Sequence, residues 1–311
     1  MYTIKQPPVI IFGKNCAQEY SFPENNLVIT SSGCKQRKWL EYLKINDLTV
    51  FDQVEPNPSI ETVEKILLHF SKSNFSNIIG IGGGSVLDVA KYVGMKLNKS
   101  KILIPTTFGS GSEVTRISVL KIDGKKQSFH DDQLISNVAI IDSHFLDDTP
   151  IEIAKNSIID ACSQSSEAYD SKNSNTYTKY FCEKGFSYLE DGIFTNDNEK
   201  IALGSLFTGL GFGNSSTTLG HALSYVYSNE GYSHGHALSF TTSVAHHFNQ
   251  SKFETRFKKI VEFLHFEKIS LKQDFEIASK LILSDRKHLD NNPKNVSQDD
   301  IKNLLKKIQA I

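Results

Sequence analysis

The sequence predicts an α/β fold in two domains, a doubly wound parallel sheet over residues 1–150 and a helical domain over residues 151–311. Short apolar segments alternate with helical segments over about 100 residues of the first half, which is the pattern of a parallel sheet with helices on both faces. Beyond Pro150 the strand signal fades and helical periodicity dominates. We therefore place the domain boundary near Pro150.

The strand and helix candidates of the first half follow one another in a regular order. Helices are expected at residues 39–43 and after Ser59, which can cap the apolar periodic segment that follows it. A hairpin is expected around Asp123-Gly124, because this dipeptide suits the tight turn between two paired strands. The strand candidates are residues 8–13, 26–30, 48–51, 78–81, 101–105 and 137–141.

Length and composition exclude several classes of protein. The chain has 311 residues, 34 basic and 35 acidic, so no overall positive field favours nucleic acid or a membrane surface. No apolar run approaches the ~20 residues of a membrane span, and the N-terminus lacks the pattern of a signal peptide. The four cysteines form no CxxC pair. We expect a cytoplasmic protein with reduced thiols.

The segment NIIGIGGGSVLDVAK, residues 77–91, combines a strand, a glycine turn and a helix. Glycines let the backbone approach an anion closely, and the first N–H groups of the helix point at it. Gly83, Gly84 and Ser85 are therefore candidates for binding a phosphate, and Asp88 one turn later could face the ligand. The alternative is a tight strand-to-helix turn without a ligand.

A second polar segment, PTTFGSGSEVT at residues 105–115, follows the next strand. Thr106 and Thr107 come directly after that strand, as Gly33 and the glycine turn do after theirs. Ligands of such sheets bind outside the carboxyl ends of the strands, so these segments should converge on one crevice. The alternative is a loop that leads into the hairpin.

The second half contains a candidate metal site. Asp160 and Gln164 are four residues apart and share one face of a predicted helix. His221 and His234 lie on separate segments that could face the same position. A carboxylate, an amide and two imidazoles suit a divalent metal such as Fe²⁺ or Zn²⁺ with one position left open. The alternative is structural hydrogen bonding. His236 is a further candidate, whereas His246 and His247 are expected to be structural or exposed.

Taken together, these motifs resemble the iron-containing (group III) alcohol dehydrogenase family of the dehydroquinate-synthase-like superfamily. The resemblance covers nearly all of the chain. It implies a Rossmann-like domain followed by an all-helical domain, and reversible hydride transfer between NADPH or NADH and a small alcohol or aldehyde. It also implies a bound divalent metal and a homodimer. The matching motifs are GGGSVLDVAK at 82–91, PTTFGSGSEVT at 105–115, DACSQSSEAY at 160–169 and GHALSYVYSNEGYSHGHA at 220–237.

The resemblance also implies roles for individual residues. Gln164 stands where the family normally has a histidine ligand, and Tyr225 stands where it often has a second histidine. Either Tyr225 or His236 would donate the proton to the alkoxide. The implied cofactor-binding residues are Gly83, Gly84, Ser85, Asp88, Thr106, Thr107 and Ser110, and the implied metal ligands are Asp160, Gln164, His221 and His234.

The predictions of cofactor preference and of substrate depend on a few sequence positions. Ser31 stands where the family often has an aspartate that repels a 2′-phosphate, and Lys35 and Arg37 follow it, so we expect NADPH to be accepted. Gln164 and the pattern TTLGHALSY…HGHA resemble the phosphonoacetaldehyde reductase branch, for which Arg116 or Lys294 would bind the phosphonate. The alternatives are a dehydroquinate-synthase-like cyclase and a metal-free, non-catalytic relative.

Overall fold

The computed structural model describes residues 1–70 and 72–310. It divides into two compact units, Met1–Pro150 and Ile151–Ile311, which we call the N-terminal and the C-terminal unit. Within the described residues, no helix is both long enough and apolar enough to cross a bilayer. All four cysteines are free thiols.

Strands and helices alternate along the N-terminal unit. The strands are β1 (Val9–Phe12), β2 (Asn26–Ile29), β3 (Leu48–Phe51), β4 (Asn77–Gly82), β5 (Ser100–Pro105), β6 (Ile117–Ile122), β7 (Lys125–His130) and β8 (Val138–Ile141). The helices are α1 (Cys16–Glu19), α2 (Ser32–Gln36), α3 (Trp39–Leu43), α4 (Ile60–Phe70), α5 (Gly84–Leu97) and α6 (His144–Asp147). Short 3₁₀ helices lie at Ser112–Val114 and Asp132–Leu134.

Six of these strands form one parallel sheet in the order β1-β8-β5-β4-β2-β3, which confirms the predicted fold class. From β2 the chain passes outward to β3 and then returns to β4 on the other side of β2. This reversal is the topological switch point, where sheets of this kind bind their ligands. The predicted hairpin is also confirmed, because β6 and β7 are antiparallel. The two residues that connect these strands, Asp123 and Gly124, both have a positive φ.

The core of the N-terminal unit lies between the sheet and helices α4 and α5. Apolar residues of β4 face the buried sides of these helices, including Val63 and Ile66 of α4. Helix α5 lies very close to β4, because a Cβ atom on Gly80 would be only 2.7 Å from the Cβ of Ala90. This close packing fixes the start of α5 directly above the end of β4.

The C-terminal unit is built of helices with an apolar core of its own. Helix α11 packs against both α7 and α10, and a short helix, α14, packs against α10. These four helices position the polar side chains described below. The helices are α7 (Ile151–Asp170), α8 (Thr176–Thr195), α9 (Asn198–Phe212), α10 (Leu219–Asn229), α11 (His234–Asn249), α12 (Glu254–Leu264), α13 (Phe275–Leu283), α14 (Arg286–Asn291) and α15 (Gln298–Ala310).

Candidate functional site

The glycine turn of the N-terminal unit lies at the carboxyl end of β4, beside the switch point. Gly82 ends the strand with a φ of +156°, a conformation that side chains rarely adopt, and Gly83 caps helix α5. The N–H groups of Val86 and Leu87 already donate to Gly83 O, so the first two helical residues, Gly84 and Ser85, carry the donors that no carbonyl of the helix accepts. Gly83, Gly84 and Ser85 are each partly exposed. The turn therefore presents backbone donors at a helix N-terminus, which is a suitable place for an anion.

The polar segment after β5 lies against the glycine turn, as the sequence predicted. Thr106 donates its N–H to Gly82 O over 3.0 Å. A Cβ on Gly83 would be 3.1 Å from Thr107 Oγ1, and a Cβ on Gly84 would be 2.7 Å from Ser110 Oγ. The two glycines are therefore needed for this close approach, and the hydroxyl groups line the turn.

The carboxylate of Asp88 is held by contacts within the N-terminal unit, which argue against its predicted role in cofactor binding. One carboxylate oxygen accepts from Ser112 Oγ at 2.6 Å and lies 3.1 Å from Lys91 Nζ. The other accepts the N–H of Val119 at 2.9 Å. Asp88 thus joins helix α5 to the polar loop and to the hairpin. Its partners come from segments 24 and 31 residues further along the chain, which helical position alone does not reveal.

Two further buried charges surround this contact. The ammonium of Lys91 is fully buried and also donates to Ile117 O. Burial lowers the pKa of Lys91, and the Asp88 and Glu113 carboxylates offset part of this effect. Burial raises the pKa of Glu113 to about 7. The cluster Asp88, Lys91 and Glu113 is part of the scaffold beneath the loop.

Ser31 lies at the carboxyl end of β2, next to the glycine turn. Its neighbour Thr30 donates from Oγ1 to Ile81 O over 2.7 Å, which ties the ends of β2 and β4 together. Arg37 donates from Nη1 to Gly33 O and lies over the ring of Trp39. Two positions from it, Lys35 is exposed. No carboxylate occupies position 31, and two cations follow it, Lys35 within α2 and Arg37 at the end of that helix.

In the C-terminal unit, Asp160, His221 and His234 come together from three different helices. Their nearest ligand atoms all lie within 4.8 Å of one another. Asp160 Oδ1 is 3.5 Å from His221 Nε2 and 3.9 Å from His234 Nε2. One carboxylate and two imidazole nitrogens that converge on one point form a donor set for a divalent first-row metal.

Gln164 lies one helical turn after Asp160 and faces the same group. Its Nε2 donates to Asp160 Oδ1 over 3.0 Å. Its Oε1 is buried and has no hydrogen-bond partner. Burying an amide oxygen without a hydrogen-bond partner costs free energy, and a bound cation would provide Oε1 with that partner. Asp160, His221 and His234 therefore fit the metal that the sequence predicted, and Gln164 lies beside them with a buried amide oxygen that accepts no hydrogen bond.

Glu167 is an additional site residue that the sequence analysis missed. Its Oε2 lies 2.7 Å from His221 Nδ1, on the side of the ring opposite Asp160. Burial lowers the pKa of His221, but the Glu167 and Asp160 carboxylates outweigh it and raise the pKa to about 9. Glu167 follows Gln164 by three residues, so the helical spacing that identified Asp160 and Gln164 also marks this position.

Tyr225 and a second missed pair, Asp285 and His288, border the metal-ligand group. The ring of Tyr225 stacks on His234 with centroids 6.3 Å apart and lies 5.8 Å from His288. Asp285 Oδ2 is 2.7 Å from His288 Nδ1, and the His288 ring stacks on His221 at 6.2 Å. Burial raises the pKa of Tyr225, and the neighbouring carboxylates raise it further, so Tyr225 stays protonated. The sequence gives no local sign of the pair in α14.

His236 lies outside this group of side chains, and its contacts argue against the predicted role as a proton donor. Its Nε2 lies 2.6 Å from Glu267 O, and its ring packs on Phe266. Two residues along a helix turn the side chain by about 200°, so His236 points away from the side on which His234 lies. As predicted, His246 is buried, with Nε2 2.9 Å from Ser166 Oγ, and His247 is largely exposed.

Both cations considered for phosphonate binding already have partners within their own units. Arg116 pairs with Asp132, with Nη1 2.7 Å from Oδ1, in the N-terminal unit. Lys294 donates from Nζ to Phe248 O over 2.8 Å.

Family models match both units of the chain. Residues 7–143 match the model described as iron-containing alcohol dehydrogenase. Residues 154–284 match the model for the C-terminal part of the same family. Together the two matches cover most of the sequence.

The chain is also similar in sequence to curated dehydrogenases. The 4-hydroxybutyrate dehydrogenase of Clostridium kluyveri is 32% identical over 196 residues, which are 54% of this chain and 53% of that protein. The chain thus spans about half the length of the curated relatives that it matches.

Two solved structures share the fold of the whole chain. An iron-containing alcohol dehydrogenase from Thermococcus thioreducens superposes with a TM-score of 0.90 at 21% identity and full coverage of both chains. Sulfoacetaldehyde reductase from Bifidobacterium kashiwanohense, solved in complex with NAD⁺, has a TM-score of 0.88 at 21% identity and covers 100% of this chain and 99% of that one.

Proposed function

Because this chain belongs to the iron-containing alcohol dehydrogenase family, we propose that it catalyses the metal-dependent, NAD(P)H-linked reduction of a small aldehyde to an alcohol. The observation that carries the proposal is the convergence of Asp160, His221 and His234 in the C-terminal unit. A group of this kind is expected of a site that acts on an oxygen atom of the substrate.

The proposed metal ligands are Asp160, Gln164, His221 and His234. One ligand atom each of Asp160, His221 and His234 lies within 4.8 Å of the other two. The Oε1 of Gln164, which has no hydrogen-bond partner, supports the amide as the fourth donor. Fe²⁺ and Zn²⁺ both suit this mixture of nitrogen and oxygen donors. When bound, the cation would supply Lewis-acid polarisation of the aldehyde carbonyl.

The side chains around the ligands serve binding and proton supply in this proposal. Tyr225 remains protonated at neutral pH and can donate a hydrogen bond to a polar group of the substrate. Its ring and that of His288 give the ligand group an aromatic border. Such a border excludes water and limits the size of the substrate.

The proposed nucleotide-binding residues are Gly83, Gly84, Ser85, Thr106, Thr107 and Ser110, with Ser31 beside them. The nicotinamide would supply the hydride. Backbone donors at the start of α5 would hold the pyrophosphate. Arg37 and Lys35 near Ser31 favour a 2′-phosphate, so we expect NADPH to be accepted. Equal or better use of NADH by the purified protein would contradict a strict preference for NADP.

We propose a class of substrate and, within it, one specific candidate. A small aldehyde is consistent with the family, and phosphonoacetaldehyde is the specific candidate because Gln164 stands at the second ligand position. The contacts of Arg116 and Lys294 argue against both as phosphonate ligands in this chain. A homodimer in the cytoplasm remains the proposed form and location.

The test is oxidation of NADPH by protein loaded with Fe²⁺ or Zn²⁺, followed by the loss of reduced-nicotinamide absorbance. The aldehyde panel contains short aliphatic aldehydes, an aldehyde with a carboxylate tail, and phosphonoacetaldehyde. Turnover that depends on added metal supports the proposal, and selective turnover of phosphonoacetaldehyde supports the narrow branch. Metal binding without any net change in nicotinamide would favour the cyclase alternative, and no metal binding would favour the metal-free relative.

A further inference from the structure

A buried carboxylate stands directly behind one proposed metal ligand. The side chain of Glu167 is only 1% exposed, and its Oε2 lies 2.7 Å from His221 Nδ1. The other ring nitrogen of His221, Nε2, faces Asp160 Oδ1 at 3.5 Å. The imidazole therefore bridges a carboxylate on one side and the metal-ligand group on the other.

Glu167 also binds the backbone that carries His221. Its Oε2 accepts the N–H of Thr218 at 3.0 Å, and its Oε1 accepts the N–H of Gly220. Thr218 is the N-cap of α10, so these donors belong to the start of that helix. A negative charge is favourable at this end of a helix, and three N–H groups satisfy it.

The close fit explains the glycine before His221. A Cβ atom on Gly220 would overlap Glu167 Oε1 and would lie 2.7 Å from Thr242 Oγ1. The carboxylate thus occupies the space where any other residue would place its side chain. The carboxylate of Glu167 therefore contacts both the backbone at the start of α10 and the ring of His221, and it holds the two in place.

We propose that Glu167 is a positioning residue that fixes His221 in the tautomer with hydrogen on Nδ1 and a lone pair on Nε2 directed at the metal. This inference rests on the proposed function. A carboxylate accepts hydrogen bonds only, so it requires a donor at Nδ1. The ring of a ligating histidine is commonly fixed in this way by a group behind the ligands.

The test replaces Glu167 by glutamine in the full-length chain and measures the affinity for Co²⁺ and its visible spectrum. The amide has one acceptor atom instead of two. If its N–H₂ replaces Oε1, it meets the N–H of Gly220. If it replaces Oε2, it donates to Nδ1 and selects the tautomer whose Nε2 carries hydrogen. The first arrangement keeps the tautomer but sets two N–H groups against each other at the start of α10, which should displace His221, and the second reverses the tautomer. Both should therefore lower the Co²⁺ affinity by about 10- to 100-fold and change the absorption bands.

A matched control separates positioning from general loss of stability. Glu190 pairs with Arg256 in the same unit, with Oε2 2.9 Å from Nε, and does not contact the ligand group. E190Q should lower the melting temperature without changing the Co²⁺ affinity or spectrum. An E167Q protein with wild-type Co²⁺ affinity, or an equal loss in E190Q, would overturn the proposal.

A second variant keeps the test decisive if E167Q does not fold. E167D keeps the charge and both acceptor oxygens but is shorter by one methylene, so it cannot reach both Gly220 and His221 in the same way. It should fold and bind Co²⁺ more weakly than the wild type, and unchanged affinity in E167D would count against positioning. Absence of Co²⁺ binding by the wild type would instead contradict the proposed function itself.

Discussion

The candidate sites of the two units are built from different parts of the chain. In the N-terminal unit, the glycine turn and the loop after β5 present backbone groups from two short continuous segments. In the C-terminal unit, the candidate metal ligands are side chains from α7, α10 and α11. The first site requires glycines that leave room beside the backbone, whereas the second requires neighbouring groups that fix the orientation of the ligand side chains.

Buried charges follow the same division. Asp88, Lys91 and Glu113 join segments of the N-terminal unit beneath its loop. Glu167 instead holds a candidate ligand, His221. Buried ionic groups thus serve the scaffold in one unit and the site in the other. The following predictions test this difference.

The largest effect is expected for His221→Ala, which removes an imidazole donor. Metal-dependent turnover should fall by about 10³-fold, the equivalent of about 4 kcal/mol of lost transition-state stabilisation. Nucleotide affinity, measured by nicotinamide fluorescence, should stay at the wild-type value because the proposed nucleotide-binding residues belong to the N-terminal unit and His221 to the C-terminal unit. The control is His247→Ala, which changes a largely exposed histidine of the same unit. Loss of nucleotide affinity in the first variant would break the comparison.

The next largest effect concerns stability and pH. Burial raises the pKa of Glu113 from its ordinary value of 4.5 to about 7, so the folded protein holds this proton more tightly than the unfolded chain. Stability is therefore lost as pH rises from 4.5 to 7. Glu113→Gln removes the titration and should raise the free energy of unfolding at pH 8 by up to about 3 kcal/mol relative to the wild type, and by little at pH 4.

Urea unfolding at the two pH values measures the effect of Glu113→Gln. Glu61→Gln, at an exposed position of α4, is the control. If the difference between the Glu113 variant and the wild type is the same at pH 4 and pH 8, this carboxylate does not carry the pH dependence.

A smaller effect is expected when Gly84 is replaced by alanine. The new Cβ would be 2.7 Å from Ser110 Oγ, so the loop must move away from the glycine turn. Overpacking of about 2 kcal/mol would weaken NADPH binding about 30-fold. The double variant Gly84→Ala with Ser110→Gly removes the clash and should recover most of the affinity. Metal content should be unchanged in both, and equal losses in the two variants would show that space is not the cause.

The smallest effect is expected for Gln164→His, which introduces the donor that resembles the family pattern. Imidazole is a better ligand than an amide oxygen for Fe²⁺ or Zn²⁺, so metal affinity should rise about tenfold. A chelator competition assay measures this change. Gln164→Leu removes the donor and should lower the affinity. Wild-type affinity in the leucine variant would mean that Gln164 is not a ligand.

The sequence predicted most of the fold and the local parts of the sites. The strands and the glycine turn are visible because their apolar runs and glycines are continuous in sequence. The pairing of Asp160 with Gln164 is visible because helical spacing is local. His221 and His234 could be proposed only as candidates on separate segments, and the structure brings them to the same point.

The contacts that the sequence did not reveal have a common physical cause. The partners of Asp88, Ser112 and Val119, become its neighbours only when the loop and hairpin fold onto α5. The contact between His288 and His221 joins residues 67 positions apart in the sequence, and no periodicity connects them. His236 is different, because helical geometry alone separates it from His234.

The position of β8 in the sheet has a consequence for the order in which the N-terminal unit assembles. Among the residues that the structure describes, strand β1 pairs only with β8, with Val9 opposite Val138, and β8 lies between β1 and β5. During synthesis the first strand is made about 130 residues before its partner. It must wait, unpaired and partly apolar, until residues 138–141 leave the ribosome. The sheet therefore closes last at the edge that was synthesised first, and this long-range pairing should limit the folding rate of the unit.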